Sequence, residues 1–463
     1  MEQEEKELAK KAAEESRLNK DITVKFLITF TVPTILSFVV MGVFGMIDGI
    51  FAARGIGVEA LSAVNIVIPF FTFSMAVGAM LAMGGCALVA KKKGKNLKQE
   101  ARQNFTLLAL VTFGISAFIC VIGWFLRKPL LRMLGADDFI FDLALTYIQP
   151  LILMAPFLLL GVFLTQFLIA EGRPIIGMLA SISGAIVSTS LNALFIFVFD
   201  MGLFGLALAS GIGYAVPTVL GLVYFTLNRR GTIFFVRPKW DIKALGRSSL
   251  NGISEMITMM SMTVTIVVMN NVLIRIVGFQ GVAAAGIVMA LQGIFASLYF
   301  GYSAGIAPVI SYNHGKQKHD RLKTIFKRSM YIIAVLAVIA MVMTLAFADL
   351  LVRIYVPAGT EMHTMTVRGL RIVTMGFLLM GYNVFATAMF TAFNDGVVSG
   401  FMSLMRTLVF TLTLLILLPM AWGLTGAWIA LPLAEALSVI VTIIFFIIMA
   451  KKYKYLQTRS TNI

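Results

Sequence analysis

Long apolar runs recur along almost the whole chain, and they constrain the fold more than any other feature. A helix needs about 20 apolar residues to cross the hydrocarbon core of a bilayer. Twelve runs meet this requirement, at residues 24–47, 59–90, 104–126, 139–169, 174–199, 204–227, 248–277, 282–311, 329–348, 366–393, 398–420 and 424–449. The sequence therefore predicts an all-α polytopic membrane protein with twelve transmembrane helices.

The composition argues against several other classes of protein. Of the 463 residues, 59% are hydrophobic and 13% are charged, whereas about 25% of the residues in a soluble domain are charged. The two cysteines, Cys86 and Cys120, lie in apolar runs and form neither a disulfide framework nor a zinc motif. The net charge of +16 does not indicate a nucleic-acid partner, because the basic residues lie between apolar runs rather than on one folded face.

The placement of the basic residues predicts the orientation in the membrane. If the N-terminus is cytosolic, 29 of the 38 Lys and Arg residues fall on the cytosolic side, 8 fall on the outer side and Arg406 lies within a span. Cytosolic loops are enriched in these residues, so we expect both termini in the cytosol and the chain in the cytoplasmic (inner) membrane. The predicted divisions are a polar cytosolic segment, an N-lobe, a basic cytosolic connector, a C-lobe and a cytosolic tail, at residues 1–22, 23–227, 228–247, 248–450 and 451–463.

The two halves of the chain repeat each other. Residues of the first half recur 221 positions later: Gly94, Arg132, Gly202, Gly205 and Ala209 match Gly315, Arg353, Gly423, Gly426 and Ala430. Gly57-Val58 matches Gly281-Val282 at a separation of 224, which implies a small gap. An even number of spans per half predicts two six-helix lobes related by a pseudo-two-fold axis along the membrane normal. Transporters built from such repeats bind substrate between the lobes and open alternately to each side.

Several short motifs, spread over residues 24–450, carry a family resemblance. They are Val32-Pro33 with Asp48, Glu171-Gly172-Arg173-Pro174, Leu191-Asn192-Ala193-Leu194-Phe195-Ile196, Asn251 to Met256, Gly301 to Gly315, and Pro419 with Gly423, Gly426-Ala427-Trp428, Pro432 and Glu435. On these motifs the chain resembles bacterial members of the multidrug and toxic compound extrusion (MATE) family. The resemblance implies a secondary transporter that exports amphipathic, often cationic compounds in exchange for H⁺ or Na⁺, with no further cofactor.

Asp48, at the end of the first apolar run, is the predicted ion-coupling residue; the alternative is a solvated aspartate at the outer interface. A carboxyl group removed from water can carry a proton, and as a carboxylate it can bind a hard cation such as Na⁺. The family frequently has an Asn and an Asp four residues apart in the fifth span, followed by a hydroxyl group. Ser188, Asn192 and Ser210 occupy these positions here, so the second carboxylate is missing and H⁺ and Na⁺ both stay open. The alternative role of Ser188 and Asn192 is ordinary hydrogen bonding between helices. Pro33 is the predicted hinge that couples ion binding to bending of the first helix.

Glu255 is the second candidate, because an ionisable side chain within a membrane span is costly and marks a functional site by default. It either faces a central cavity, where it would bind a proton or a cationic substrate, or pairs at the cytosolic interface with a basic residue such as Arg247. Gln166, Gln292 and Asn383 are candidates to line the same cavity, and the alternative for each is a role in helix packing. A second family pattern places an Asp in the tenth span, and the segment around Asn383 has none.

Two further charges, Arg406 and Glu435, fall in the last two spans, and we expect them to pair, either as a structural ion pair or as part of the coupling machinery. The chain also holds 28 Met and 37 Phe. Such side chains suit a cavity for varied flat cations, although they also fill lipid-facing helix surfaces.

Each competing function would need its own sequence features. A flippase for lipid-linked precursors, with a similar architecture, would favour a cavity rich in Arg and Lys for phosphate binding. An intramembrane enzyme or an ATP-driven pump would need a motif such as His-Glu-x-x-His or a nucleotide-binding loop, and the sequence has neither. We therefore expect a transporter rather than an enzyme, with small molecules and the lipid bilayer as partners, no nucleic acid, and one chain sufficient for function.

Overall fold

Long α-helices account for the architecture. A computed structural model describes residues 17–229 and 231–456. Its helices are α1 Val24–Ile50, α2 Val58–Gly94, α3 Lys98–Met133, α4 Phe141–Ala170, α5 Pro174–Phe197, α6 Gly202–Leu227, α7 Ile242–Ile276, α8 Phe279–Gly315, α9 His319–Arg353, α10 Glu361–Thr374, α11 Phe377–Ala392, α12 Gly396–Leu404 and α13 Thr411–Tyr453. The turns Phe51–Ile56 and Met405–Phe410 are π-helical. These described ranges contain no β-strand, and the all-α prediction is confirmed. Most of the predicted N-terminal segment and the end of the predicted tail lie outside the described residues.

The described helices supply twelve membrane spans. Helices α1 to α9 are each long and apolar enough to cross a bilayer, and α10 and α11 form one broken span bent by 51°. The run Gly396–Tyr453 has 58 residues, which is about 87 Å of helix at 1.5 Å per residue, so it provides two spans. Gly423, with φ 53° and ψ −135°, divides this run. The division lies between the predicted spans 398–420 and 424–449.

Most helices extend beyond the apolar runs that predict them. The third run covers residues 104–126, whereas α3 extends from Lys98 to Met133. The ninth run, 329–348, lies well inside α9. An apolar run marks only the part of a helix that meets lipid, while the backbone hydrogen bonds continue into polar surroundings. Hydropathy therefore predicts the number of helices better than their lengths.

Backbone conformation repeats at the predicted spacing of 221 residues. Gly202 and Gly423 both have a φ of 53°, a conformation that glycine adopts at little cost. Asn96 and Gln317, also 221 residues apart, end the turns that follow α2 and α8 with φ values of 62° and 55°. The two halves thus share local turns as well as helix order, as a pseudo-two-fold repeat requires.

One predicted match between the halves is wrong. The sequence pairs Gly57 with Gly281, at a separation of 224. In the structure Gly57 caps the start of α2 and Gly278 caps the start of α8, and these residues are 221 apart. No gap is needed, because the structural role of the cap follows the turn geometry rather than the dipeptide Gly-Val.

The N-lobe, α1 to α6, and the C-lobe, α7 to α13, meet where α2 packs on α7 and α1 packs on α8. The backbones touch at glycines. A Cβ atom on Gly84 of α2 would lie 2.0 Å from the backbone oxygen of Ser248, and one on Gly315 of α8 would lie 2.2 Å from the backbone oxygen of Lys91. No side chain fits at either position, so the two lobes are in direct contact here.

These contacts lie at the end of the bundle where α1 begins and α13 ends, which we call the basic end. At this end Arg321, near the start of α9, donates a hydrogen bond of 2.8 Å to the backbone oxygen of Asn19. In the opposite half of the bundle, Gly45, Gly49 and Gly286 meet no atom within 4 Å of where a Cβ would stand. The lobes are therefore closed against each other at the basic end, and none of these three glycines makes a comparable contact in the opposite half.

The connector between the lobes is docked on the N-lobe. Lys93 Nζ lies 3.2 Å from Glu171 Oε2, and the two side chains are only 3% and 4% exposed. The Thr232 hydroxyl donates to the same carboxylate at 2.6 Å. Asp241 then accepts a hydrogen bond from the backbone N–H of Ala244 and caps α7. Helix α7 therefore begins at residue 242, inside the predicted connector 228–247.

Candidate functional site

The carboxylate of Asp48 lies inside the N-lobe, where α1 packs on α5 and Asp48 contacts Ser210 of α6. Asn192 Nδ2 donates to Asp48 Oδ1 at 2.6 Å, and Ser210 Oγ donates to Asp48 Oδ2 at 3.0 Å. Both partners are buried. Among the side chains that the structure describes, no cation pairs with Asp48. The fold thus brings together three of the four residues proposed for the ion site.

The fourth residue, Ser188, contacts α6 rather than Asp48. It lies one helical turn before Asn192 and is fully buried, and its hydroxyl has no hydrogen-bond partner among the described residues. A Cβ on Gly213 of α6 would lie 2.6 Å from the Cβ of Ser188. A small side chain is needed for this close approach of two helices. The observed contacts of Ser188 are therefore those of a packing residue.

The Asp48 site can exchange a proton by turning one hydroxyl group. Ser210 Oγ lies 3.0 Å from the backbone oxygen of Leu206 as well as 3.0 Å from Asp48. A hydroxyl has one hydrogen to donate, so Ser210 can donate to the ionised Asp48 or, when Asp48 is protonated, accept from it and donate to Leu206. A bound Na⁺ would require more. The Asn192 amide would have to turn so that its oxygen, which is buried and has no hydrogen-bond partner among the described residues, replaced its nitrogen.

A cavity of about 290 Å³ lies between the lobes, close to the lower size limit of about 300 Å³ for ligand pockets. Its walls are mainly apolar and come from both lobes. They include Met41, Met75, Met83, Met259, Met262, Phe38, Phe44 and Phe300. Thioethers adapt to different shapes and aromatic faces attract cations. The cavity therefore suits apolar molecules that carry a positive charge.

Glu255 of α7 and Arg406 of the second π-helical turn are the two charged side chains among the described residues that line this cavity. Glu255 makes no ion pair within the described ranges, so the alternative pairing with Arg247 is not observed. Gln166 also lines the cavity, as predicted. Gln292 does not, because its neighbour Gly293 takes the lining position on α8 and successive helical residues point in different directions.

Behind the cavity wall, Arg406 forms the expected ion pair with Glu435. Arg406 Nη2 lies 2.9 Å from Glu435 Oε1, and Arg406 Nε donates to both carboxylate oxygens. The sequence indicates Asn383 as a residue that lines the central cavity, but it is not among the lining residues. Its side-chain amide instead donates to Glu435 Oε2 at 2.7 Å and accepts from Thr442 at 2.8 Å. Thr442 was missed by sequence reasoning, since a lone Thr in an apolar span carries no distinguishing signal.

Pro33 is buried within α1, which runs without a break from Val24 to Ile50. The irregular winding of the first span instead begins at Phe51, three residues after Asp48, where the π-helical turn starts. Such turns often occur at functional sites. The hinge role of Pro33 stays a prediction, and no sequence motif marks the π-helical turns.

Comparisons with known proteins agree with this architecture. The family model described as MatE matches residues 33–194 and 253–417, more than half of the chain. The multidrug export protein MepA of Staphylococcus saprophyticus is 25% identical over 425 residues, which cover 90% of this chain and 92% of that protein. MepA of Staphylococcus haemolyticus is 24% identical over 414 residues, covering 89% and 90%.

Solved structures show the same fold. An outward-facing MATE family transporter of the MOP superfamily matches with a TM-score of 0.89 at 20% identity, over 95% of this chain and 98% of the other. A MOP superfamily transporter from Pyrococcus furiosus, described as having a binding pocket of reverse polarity, matches with a TM-score of 0.88 at 20% identity, over 96% and 98%.

Proposed function

Since this chain belongs to the MatE family of membrane transporters, we propose that it is a secondary multidrug exporter that moves amphipathic cations out of the cell in exchange for protons. The observation that carries this proposal is the Glu255 carboxylate, which has no ion-pair partner in the described ranges and lies in a mainly apolar cavity between the lobes. A cation can bury its apolar body against the Met and Phe side chains and place its charge near Glu255. The name of the MepA relatives, multidrug export protein, is consistent with the export of drugs.

The basic end of the bundle faces the cytosol in this proposal. Basic residues concentrate on the cytosolic side of membrane proteins, and the lobes are closed at this end by the contacts at Gly84 and Gly315. The described conformation then corresponds to a state closed to the cytosol. Export requires the lobes to tip about the cavity, so that these contacts open when substrate enters and form again before it leaves. The cavity and Asp48 belong to one chain, so a monomer suffices.

Asp48 carries the coupling proton. Both of its oxygens accept hydrogen bonds from neutral donors, Asn192 and Ser210, and this arrangement accommodates ionised and protonated forms with little movement. A bound proton neutralises Asp48, so no counter-cation is needed. Binding of Na⁺ would require the Asn192 amide to turn. H⁺ is therefore the coupling ion that we favour over Na⁺.

The cavity offers little to an anionic lipid precursor. Arg406 is the one basic side chain among the described residues that line it, and its guanidinium is already engaged by Glu435. A phosphate group would need free Arg or Lys donors. The charge distribution thus favours cation export over the flippase alternative.

Efflux measurements on reconstituted vesicles test the proposal. A fluorescent monovalent aromatic cation is loaded, and its export is followed under an imposed pH gradient or an imposed Na⁺ gradient for wild type, Asp48→Asn and Glu255→Gln. We expect wild type to respond to the pH gradient, Asp48→Asn to lose uphill transport, and Glu255→Gln to lose at least about tenfold in the rate of cation export.

Three outcomes would overturn parts of the proposal. Uphill export with both gradients collapsed would rule out antiport. A response to the Na⁺ gradient alone would replace H⁺ as the coupling ion. Wild-type export of the cation by Glu255→Gln would remove Glu255 from the substrate site.

A further inference from the structure

The net charge of the central cavity depends on which partner Arg406 takes. Glu255 and Arg406 both line this cavity, and they carry opposite charges. If both were free to face the substrate, they would cancel and the cavity would not select for charge. A cavity that attracts cations therefore requires the charge of Arg406 to be neutralised by something other than Glu255.

Glu435 supplies that neutralising charge. It lies on α13 beyond Gly423, and it binds the guanidinium of Arg406 through two nitrogens, with contacts of 2.9 to 3.1 Å. The side chains of Arg406 and Glu435 are 9% and 13% exposed. A forked arginine–carboxylate contact of this kind is strong and directional. This contact holds Arg406 at the edge of the cavity, and Glu435, which lies outside the cavity lining, neutralises its charge.

A second layer of hydrogen bonds fixes the direction of this pairing. The Thr442 hydroxyl donates to Asn383 Oδ1 at 2.8 Å, which leaves the Asn383 amino group to donate to Glu435 Oε2 at 2.7 Å. The same amino group lies 3.0 Å from the backbone oxygen of Glu435. The chain of donors runs one way, from Thr442 through Asn383 to Glu435, and it keeps the carboxylate aimed at Arg406.

We propose that Glu435 is a specificity-determining residue. It neutralises the charge of Arg406 and so leaves the charge of Glu255 available to a cationic substrate. This inference rests on the proposed binding of cations near Glu255. It goes beyond that proposal, because it assigns charge selectivity to a side chain outside the lining of the central cavity. Asn383 and Thr442 act as positioning residues for Glu435.

A purely structural ion pair makes a different prediction, and the chain offers a matched control for it. Lys93 and Glu171 form a second buried pair, at 3.2 Å, and neither residue lines the cavity. Removing one carboxylate from either pair leaves a buried cation uncompensated and costs stability. Only at Glu435 does the released cation lie in the cavity wall.

The experiment compares export of two fluorescent substrates of similar shape, one a monocation and one neutral, in vesicles under a fixed pH gradient. The variants are Glu435→Gln, the double variant Arg406→Gln with Glu435→Gln, the control Glu171→Gln, and Glu255→Gln. The readout is the ratio of cation export to neutral export, which does not depend on the amount of folded protein. Thermal midpoints of the purified proteins report stability separately.

We expect Glu435→Gln to lower this ratio at least about tenfold, because the freed Arg406 opposes the substrate charge. The double variant, which removes both charges, should return the ratio to within about threefold of wild type, and Glu171→Gln should leave it unchanged. A ratio in Glu435→Gln equal to wild type, or no recovery in the double variant, would overturn the inference. If Glu255→Gln loses selectivity while Glu435→Gln keeps it, only this inference fails. If Glu255→Gln itself keeps the wild-type ratio, the proposed substrate site fails.

Discussion

The two acidic side chains in the proposed mechanism differ in their surroundings. Asp48 accepts hydrogen bonds from Asn192 and Ser210, whereas Glu255 faces an apolar cavity without an ion-pair partner in the described ranges. A carboxylate supported by fixed donors is suited to repeated loss and gain of a proton. A carboxylate in a mainly apolar cavity is suited to bind a cationic substrate. The difference supports separate roles for ion and substrate.

The contrast between Ser210 and Ser188 gives a prediction at this scale. Ser210→Ala removes a hydrogen bond to a charged group, which contributes about 1.5–3 kcal/mol, so proton-driven export should fall about tenfold or more. Ser188→Ala removes a hydroxyl that has no partner among the described residues, so export should stay within about twofold of wild type. Initial rates of cation efflux from vesicles under a pH gradient measure both. Equal losses in the two variants would show that packing, not the Asp48 contact, matters here.

Sequence predicted the identity of the Asp48 cluster but not all of its geometry. The family resemblance indicates Asp48, Asn192 and Ser210, and these three residues meet in the fold. Helix periodicity placed Ser188 on the same face as Asn192, yet it could not show that the backbone of Gly213 approaches there. The prediction that Gln292 lines the cavity is wrong for a similar reason. A shift of one residue along α8 decides which side chain faces the cavity, and Gly293 takes that position.

Glycines with positive φ mark where helices of the bundle break or begin. Gly423 separates the last two spans with φ 53° and ψ −135°, and Gly202 has the same φ in the first half. The internal repeat predicted that both glycines share a role, and the apolar runs predicted a division near residue 423. The π-helical turns were not predictable, because one extra residue in a helical turn leaves the hydropathy pattern almost unchanged.

Gly423→Ala should therefore destabilise the protein. A side chain in this backbone conformation costs about 1–3 kcal/mol, and the thermal midpoint of the purified protein should fall accordingly. Gly246→Ala is the matched control, since Gly246 lies exposed within α7 and meets no atom within 4 Å of its Cβ position. Alanine is the better helix former by about 1 kcal/mol, so this variant should be as stable as wild type or more so. A normal thermal midpoint for Gly423→Ala would contradict the assigned break.

At the scale of the whole molecule, glycines at the basic end set which side of the protein is closed. Gly94 and Gly315, related by the 221-residue repeat, bring the ends of α2 and α8 together. A Cβ on Gly94 would lie 2.1 Å from the backbone oxygen of Tyr312. Backbone atoms cannot move aside as a flexible side chain can, so a larger residue must hold the lobes apart.

Gly315→Val should accordingly shift the population toward a state that is open at the basic end. Spin labels at Gln99 and Asp320, which are exposed and 221 residues apart, report the separation of the lobes by pulsed electron paramagnetic resonance. We expect longer distances in Gly315→Val than in wild type. Gly286→Val, on the same helix with no atom within 4 Å of its Cβ position, should leave the distribution unchanged. Identical distributions in Gly315→Val and wild type would show that this contact does not control closure.

The central claim, that Asp48 exchanges a proton for each substrate that the lobes release, is tested most directly by substrate-driven proton movement. Vesicles without an imposed ion gradient are given a concentration gradient of the fluorescent cation, and a pH-sensitive dye records protons moving the opposite way. We predict counterflow of protons in wild type and none in Asp48→Asn, although Asp48→Asn still binds the cation with an affinity similar to that of wild type. Proton counterflow of wild-type size in Asp48→Asn would contradict the account.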